Sequence, residues 1–539
     1  MVESACSVGT LPSGAAVRES AVEEGLYDPA RSIAPVLCGA VSPSSDRTVV
    51  LGIDAGTTGV RTYAIDRQSR VVRSNYREFP QYFPQPGWVE HDADEIWTAT
   101  LATLTAVGQA CAAAGETVVA IGITNQRETT VVWDRRSGRP LHRAIVWQDR
   151  RTAQECDAWR EAGHEPMVRA RTGLVLDSYF SATKLHWLFT TGGITPTPDL
   201  AFGTVDSWLL WKLTAGAVHA TEPSNASRTL LYDIHAGTWS QELCELFGVP
   251  MSCLPEVRPT SGRFGITASE AAAGLRVPIS GMAGDQQAAL FGQACFTPGM
   301  AKNTYGTGSF VLVNLGAAAP PPVEGLLTTV AWQIGDETTY AMEGAIFVTG
   351  AAIQWLRDEL QIIERAEDIG PLAASIPDAG GVVFVPAFTG LGSPYWDPYA
   401  RGTVLGLTRG SGRAQLARAV VEAIAYETAD VVTAVRAASG TELSELRVDG
   451  GASVMDVLCQ FQADVLGVTV RRPAVQETTA LGAAYLAGIA EGVWTGPADA
   501  ASAWREEAAF TPSGDPADIA ARLATWHRAV DRSRAWAQD

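Results

Sequence analysis

Lysine is almost missing from this chain of 539 residues: only Lys184, Lys212 and Lys302 occur. They follow Thr183, Trp211 and Ala301 rather than a glycine, so the phosphate loop that needs a Gly-Lys pair is excluded, and P-loop NTPases with it. No GxGxxG follows the first predicted strand, which leaves a dinucleotide-binding fold without support. The eight cysteines, at 6, 38, 111, 156, 244, 253, 295 and 459, form no CxxC pair and none lies at zinc-finger spacing to a histidine. Unpaired thiols of a reducing cytosol are the expected state. Basic charge is also scarce, and the formal net charge of −19 opposes a life spent wrapping nucleic acid. Apolar runs such as 380–388 fall short of the ~20 residues that cross a bilayer. Glu3, with no basic stretch followed by an apolar one, makes a poor signal peptide. The expectation is a cytoplasmic protein with no nucleic acid partner and no integral membrane segment.

What is present is a globular balance, 46 % apolar and 18 % charged, over a length that calls for more than one domain. Residues 1–46, rich in Ala, Ser, Gly and Glu without periodicity, are expected to form a flexible extension. Order is predicted from Val49-Val50-Leu51-Gly52-Ile53, a buried strand that meets the turn Asp54-Ala55-Gly56-Thr57-Thr58-Gly59 and returns along Arg61 to Ile65. A helix from about Asp94 to Cys111, capped by Asp92, and strands over Val118 to Ile123 and Thr130 to Trp133 follow. A second strand-turn-strand over Ala301 to Leu315 carries Gly306-Thr307-Gly308 at its tip. Two Gly/Thr-tipped hairpins suggest a duplicated architecture, divided near Thr297-Pro298-Gly299 into domains 47–297 and 298–539. Helix over Gln415 to Ala438, strand over Leu446 to Val448 and helix over Val454 to Leu466 argue for an α/β fold.

Phosphate binding needs backbone amides, hydroxyls and close approach, which the 54–59 hairpin supplies beside a carboxylate that could hold hydrated magnesium. The plain alternative is an Asx turn in which Asp54 bonds only its own backbone. Asp285 ends a short strand and opens an Ala-rich helix, so it is either a helix cap or a general base accepting a hydroxyl proton. The polar run Thr124 to Thr130 is either a solvated loop or a grip on vicinal hydroxyls, and Trp147 and Tyr179 are either core aromatics or ligand walls.

Eight stretches in order resemble the glycerol kinases of the FGGY carbohydrate kinase family: PGWVEHD at 86–92, IGITNQRETT at 121–130, AIVWQDRR at 144–151, GDQQAALFGQ at 284–293, MAKNTYGTG at 300–308, VPAFTGLG at 385–392, PYWDPYAR at 394–401 and TALGAAYLAG at 479–488. The resemblance runs from about residue 49 to 535. It implies an α/β fold of two actin/ribonuclease-H-like domains flanking an interdomain catalytic cleft, where ATP, Mg²⁺ and glycerol meet. It gives Arg127, Glu128, Tyr179, Asp285 and Gln286 as hydroxyl ligands, Trp147 and Phe310 as walls, Asp285 as catalytic base and Asp54 as the residue near magnesium. Thr57, Thr58, Arg61 and Thr307 match phosphate contacts; Gly350, Gln354 and Gly451 match the remaining nucleotide positions. It also implies a homo-oligomer, dimer or tetramer. The chain departs from the family at Ala55 and Gly59, which replace Gln and Ser, and at Met455, which replaces the Asn of the adenine end. A weaker hold on ATP is expected from that last change. The Gly-Lys loop tied to fructose bisphosphate inhibition is also missing, since 267–274 reads TASEAAAG, and no such inhibition is expected. Two alternatives stay open: a sibling kinase for another polyol or ketose, and a catalytically weak nucleotide-binding regulator.

Overall fold

The computed structural model describes residues 47–537. The expected flexible extension, with Cys6 and Cys38, lies outside the described residues. The six cysteines within them are unpaired and buried. The chain begins with strands β1 (Thr48–Ala55), β2 (Gly59–Asp66) and β3 (Val71–Glu78). Helix α1 (Ala93–Ala113) follows; its Asp92 cap accepts hydrogen bonds from the backbone N–H groups of Asp94 and Glu95. Ile96, Thr100, Thr103, Leu104, Val107 and Cys111, spaced at helical period, are buried. α1 has the length and apolarity of a membrane-crossing helix by composition. Here that apolar stripe covers the sheet beside β2 and β3, as a core helix does.

Strand β4 (Thr117–Asn125) precedes an insertion of short helices and two-stranded pairs across 126–260. The predicted strand at 130–133 belongs there: Val131–Asp134 pairs with Leu200–Gly203 and not with the main sheet. The chain then re-enters that sheet through β5 (Ser261–Ile266) and β6 (Pro278–Gly284), and helix α2 (Asp285–Gly292) springs directly from β6. Strands β7 (Met300–Tyr305), β8 (Ser309–Gly316), β9 (Leu327–Ile334) and β10 (Glu337–Ile346) open the second half. Helices α3 (Gly350–Asp358) and α4 (Arg413–Ser439), β11 (Glu445–Asp449), α5 (Asp456–Leu466), β12 (Val470–Pro473), α6 (Thr478–Ala490) and β13 (Glu506–Phe510) follow. Helix α5 starts two residues later than its sequence suggests, because Gly451–Val454 winds as a 3₁₀ turn first.

Among the described residues thirteen strands form one sheet, and its order holds the same motif twice. In the first half the order β3-β2-β1-β4-β6 has antiparallel β1/β2 and β2/β3 and parallel β1/β4 and β4/β6. In the second, β10-β8-β7-β11-β12 repeats every orientation. Two Gly/Thr hairpins are therefore equivalent parts of two equivalent units, of the ribonuclease-H-like 3-2-1-4-5 order. The halves are stitched by β5, which is antiparallel to β6 and pairs with β9 at Ser261 and Ile334.

In each half the helix after the fifth strand leaves its own sheet. Helix α6 does so fully, packing against β1, β4 and β6, while α2 lies at the junction and touches β7 and β8 as well as its own β4 and β6. Glycines make this possible. Gly52, Gly122 and Gly281 stand in register across β1, β4 and β6. A Cβ at Gly122 would lie 2.0 Å from the carbonyl oxygen of Ala483, and one at Gly52 2.5 Å from that of Ala480. The two helices themselves cross backbone to backbone, since a Cβ at Gly482 would lie 1.9 Å from Ala288 O and one at Gly292 1.9 Å from Thr478 O.

Candidate active site

Helix α2 brings Asp285 to the junction of the halves. Asp285 is the first helical residue, after Gly284, and makes no capping bond to the following turn; among the described residues its Oδ1 accepts the neighbouring Gln286 N–H (2.7 Å) and forms an ion pair with Arg127 Nε (3.1 Å). The cap explanation is thereby removed. The carboxyl is 29 % exposed, open to a cleft, while Arg127 beside it is 2 % exposed. Burial pushes the Asp285 pKa up; Arg127, the Gln286 N–H and Lys302 pull against that shift, and Glu343 adds to it. Gly284 lets Arg127 lie this close, because a Cβ there would sit 2.7 Å from Arg127 Cγ.

Arg127 and Glu128 follow β4, with Glu128 held at a positive φ of 60°. Arg127 Nη2 donates to Tyr179 Oη (3.3 Å), and Tyr179 meets Trp147 edge-on at 5.6 Å. Trp147 meets Phe310 edge-on at 6.4 Å. The predicted hydroxyl ligands and aromatic walls thus converge. Trp147 Nε1 donates to Thr57 Oγ1 (3.1 Å), which ties the aromatic wall to the first hairpin.

In that hairpin Asp54 accepts no hydrogen bond among the described residues, so it is not an Asx turn; the turn is closed by Gly56 N–H to Gly59 O (3.0 Å). Burial, then the charges of Asp285 and Glu477, raise Asp54 to about 7 against the pull of Arg61. Arg61 donates to Glu477 (3.2 Å) and Tyr63 Oη (3.1 Å) and lies over the Tyr76 ring at 4.5 Å. Ala55 is fully buried in the first-half core and does not face the cleft. Gly59 has a steric reason: a Cβ there would come within 2.7 Å of Arg77 O and of the Tyr76 ring.

The other predicted positions gather around a cavity of about 550 Å³ lined by Gly306, Thr307, Gly350, Gln354, Gly451 and Met455. Its walls are locked together by backbone: Gly350 N–H donates to Gly306 O and Thr349 N–H to Thr307 O, both at 2.9 Å. The β7–β8 hairpin presents Gly306 and Thr307 to this cavity and Phe310 to the aromatic walls, so one turn serves both regions.

The N-terminal domain of the FGGY family of carbohydrate kinases matches residues 49–292, and its C-terminal domain residues 301–491. The chain belongs to the FGGY family of carbohydrate kinases. It is 55 % identical over 494 residues to the glycerol kinase of Trichlorobacter lovleyi, covering 91 % of this chain and 99 % of that protein. To the glycerol kinase of Dechloromonas aromatica it is 54 % identical over 492 residues, 90 % and 98 % of the two chains. Its fold is similar to the crystal structure of Plasmodium falciparum glycerol kinase with ADP, at a TM-score of 0.86 and 34 % identity over 90 % of this chain and 98 % of that one.

Within this FGGY site lie charged groups that motif reading passed over. Lys302 is fully buried on β7; its Nζ bonds Gln286 Oε1 and Thr304 Oγ1 (3.0 Å), and burial lowers it to about 8. Glu343 and Arg228 are fully buried and bonded to each other (2.8 Å). The available signal was a charge at an interior position of an apolar strand, Ala341-Met342-Glu343-Gly344-Ala345-Ile346.

Proposed function

We propose that this FGGY kinase transfers the terminal phosphoryl group of ATP to glycerol, giving sn-glycerol 3-phosphate and ADP. The observation that carries the reading is Asp285: a carboxyl at the cleft, off its ordinary pKa, beside a buried arginine and three aromatic rings. Support for the substrate comes from the relatives named glycerol kinase that match almost end to end.

In this reading Arg127, Glu128, Tyr179 and Gln286 hold the triol. Lys302 occupies the Gln286 carbonyl oxygen, which leaves the Gln286 amide N–H groups to donate. Trp147 and Phe310 face the carbon chain. Asp285 takes the proton of the attacking hydroxyl, the oxygen forms a bond to the γ-phosphorus, and the bond to the bridging oxygen of ADP breaks. A raised pKa suits a base working near neutral pH, and such a base contributes ~10²–10⁴ in rate. Positioning and charge neutralisation supply the rest. Gly306, Thr307, Gly350, Gln354, Gly451 and Met455 would receive the nucleotide in the 550 Å³ cavity, with Thr57, Thr58 and Arg61 toward its phosphates.

The residues fit a magnesium ion. Asp54 accepts no hydrogen bond among the described residues, burial with the charges of Asp285 and Glu477 holds it near 7, and a hard divalent cation accepts such oxygen ligands. Among the described residues no three His, Cys, Asp or Glu side chains converge, so phosphate oxygens and water would complete the shell. When bound, the ion neutralises charge on the phosphates. A cytoplasmic location follows from ATP as donor; the homo-oligomer is part of the same reading, and light scattering counts its subunits.

The test is an ADP-release assay over glycerol, dihydroxyacetone, erythritol and xylulose, with and without magnesium. Glycerol with magnesium is expected to dominate, and a different best substrate overturns the reading. Asp285→Asn should lower kcat by ~10²–10⁴ and leave nucleotide binding within twofold; unchanged turnover removes Asp285 as the base.

A further inference from the structure

Four side chains in the site form a closed ring of alternating charge. Arg127 Nη1 donates to Glu343 Oε2 (2.5 Å), and Arg228 Nη2 donates to Glu343 Oε1 (2.8 Å). Arg228 Nε donates to Glu128 Oε1 (2.7 Å), and the same oxygen lies 3.8 Å from Arg127 Nε. All four side chains are at most 2 % exposed. Arg127 and Glu128 come from the turn just after β4, Arg228 from the insertion and Glu343 from β10 in the other half. The ring is electrically neutral. Asp285 stands outside it and shares Arg127 with Glu343.

We propose that Glu343, acting through Arg127 and Arg228, is a positioning residue for polyol binding that keeps Arg127 from closing fully onto Asp285. The inference rests on the reading of Arg127, Glu128 and Asp285 given above. Arg127 donates to Glu343 and Gln287 (Nη1) and to Tyr179 (Nη2), while its Nε is ion-paired with Asp285 and, further off, Glu128. Glu343 is the one charged group to which Arg127 donates a hydrogen bond among the described residues. Without it, the guanidinium keeps Asp285 (3.1 Å) and the more distant Glu128 (3.8 Å) as anionic partners, and the nearer of the two is the proposed base. A carboxylate engaged by both nitrogens of an arginine is a poorer proton acceptor. Glu128 would be affected as well, since Arg228 loses the anchor that aims it. Burial raises the Glu343 pKa, but Arg127 and Arg228 outweigh burial and hold it at about 2, so Glu343 keeps its charge throughout the working range.

The geometry makes an asymmetric prediction. The ring touches the polyol ligands and none of the residues that line the nucleotide cavity. Glu343→Gln should lower kcat/KM for glycerol about 10²-fold, as a misplacement of about 1 Å at a reacting group does, and leave KM for ATP within twofold. The acid limb of kcat/KM for glycerol should move to lower pH. The charged groups facing Asp285 are Arg127, Lys302, Glu343 and Asp54; the substitution removes the one nearby carboxylate of the ring and leaves both cations. Glu343→Asp keeps the charge and shortens the reach, so it should raise KM for glycerol while its acid limb stays at the parent's pH. That variant serves as the deciding measurement if Glu343→Gln does not fold.

A Glu343 that is merely structural predicts a lower melting temperature with both KM values and the pH profile unmoved, and that result overturns the proposal. Equal losses toward glycerol and ATP overturn it too. The parent is assayed first: a parent that prefers another polyol revises the substrate and keeps this test for that polyol, and one without polyol kinase activity removes both readings.

Discussion

At the end of β1, Asp54 carries a pKa of about 7 in place of 3.8 because burial, Asp285 and Glu477 all disfavour its anion. Between these two values the folded chain binds a proton that the unfolded chain has lost. Stability therefore falls as pH rises across that window and levels off above it. Asp54→Asn mimics the protonated form, so without nucleotide and magnesium its melting temperature should exceed the parent's at pH 8 and match it near pH 4. The opposite ordering would show that the anion has a partner. Met455 makes a different residue-scale prediction. It is 7 % exposed, lines the nucleotide cavity and packs toward Gly370. Met455→Asn offers a hydrogen-bonding amide where the family carries one and should tighten ATP by roughly 0.5–1.5 kcal/mol, readable by calorimetry, while losing some apolar packing. At this scale the site was legible where a motif carried the residue: Asp285, Arg127 and Trp147 lie in three such stretches and gather in one place. Glu343 and Arg228 were not, because their meaning lies in each other, 115 positions apart. Gly59 looked like a missing hydroxyl and is instead the residue that makes room for Tyr76.

Elements tell a similar story. Hairpins and strands could be read from β-branched runs broken by Gly and Thr, and α1 from its cap and its helical apolar spacing. Glycines within strands could not. Gly52, Gly122 and Gly281 weaken their own strands locally, and their purpose appears only when α6 lies across them from a point more than 350 residues beyond Gly122. Gly122→Ala should thus destabilise the protein by about 1–3 kcal/mol or more, seen as a lower denaturation midpoint. An unchanged midpoint would mean that α6 can lift from the sheet without penalty. Gly163, with open space where a Cβ would go, sits at a φ of +82° and is the poorer control; Gly451 has the same open space without that backbone demand.

For the whole molecule, the division of the sequence near 297 is not a division of the core. Leu481, Ala484, Tyr485, Leu486 and Ala487 of α6 are buried in a cluster with Val50, Ala120 and Ala283 of the first half. Gln293 and Thr478, one from each half, both donate to Asp449 Oδ2 (2.7 and 2.6 Å). A fragment of residues 47–297 lacks the helix that covers its sheet. It should show far-ultraviolet circular dichroism without the near-ultraviolet signal of packed aromatics, while the full chain melts in one transition. A fragment with native-like near-ultraviolet dichroism would show that the halves fold separately.

The crossing of α2 and α6 reaches further than stability. Gly482 abuts the carbonyl of Ala288, which lies one helical turn along from Asp285 on the same rigid rod. With bare backbone on both sides, no soft side chain absorbs a push at that point. A methyl group grafted onto residue 482 would be felt as a displaced carboxyl at Asp285, so the spacing of two glycines governs where the proposed base stands although neither of them touches it.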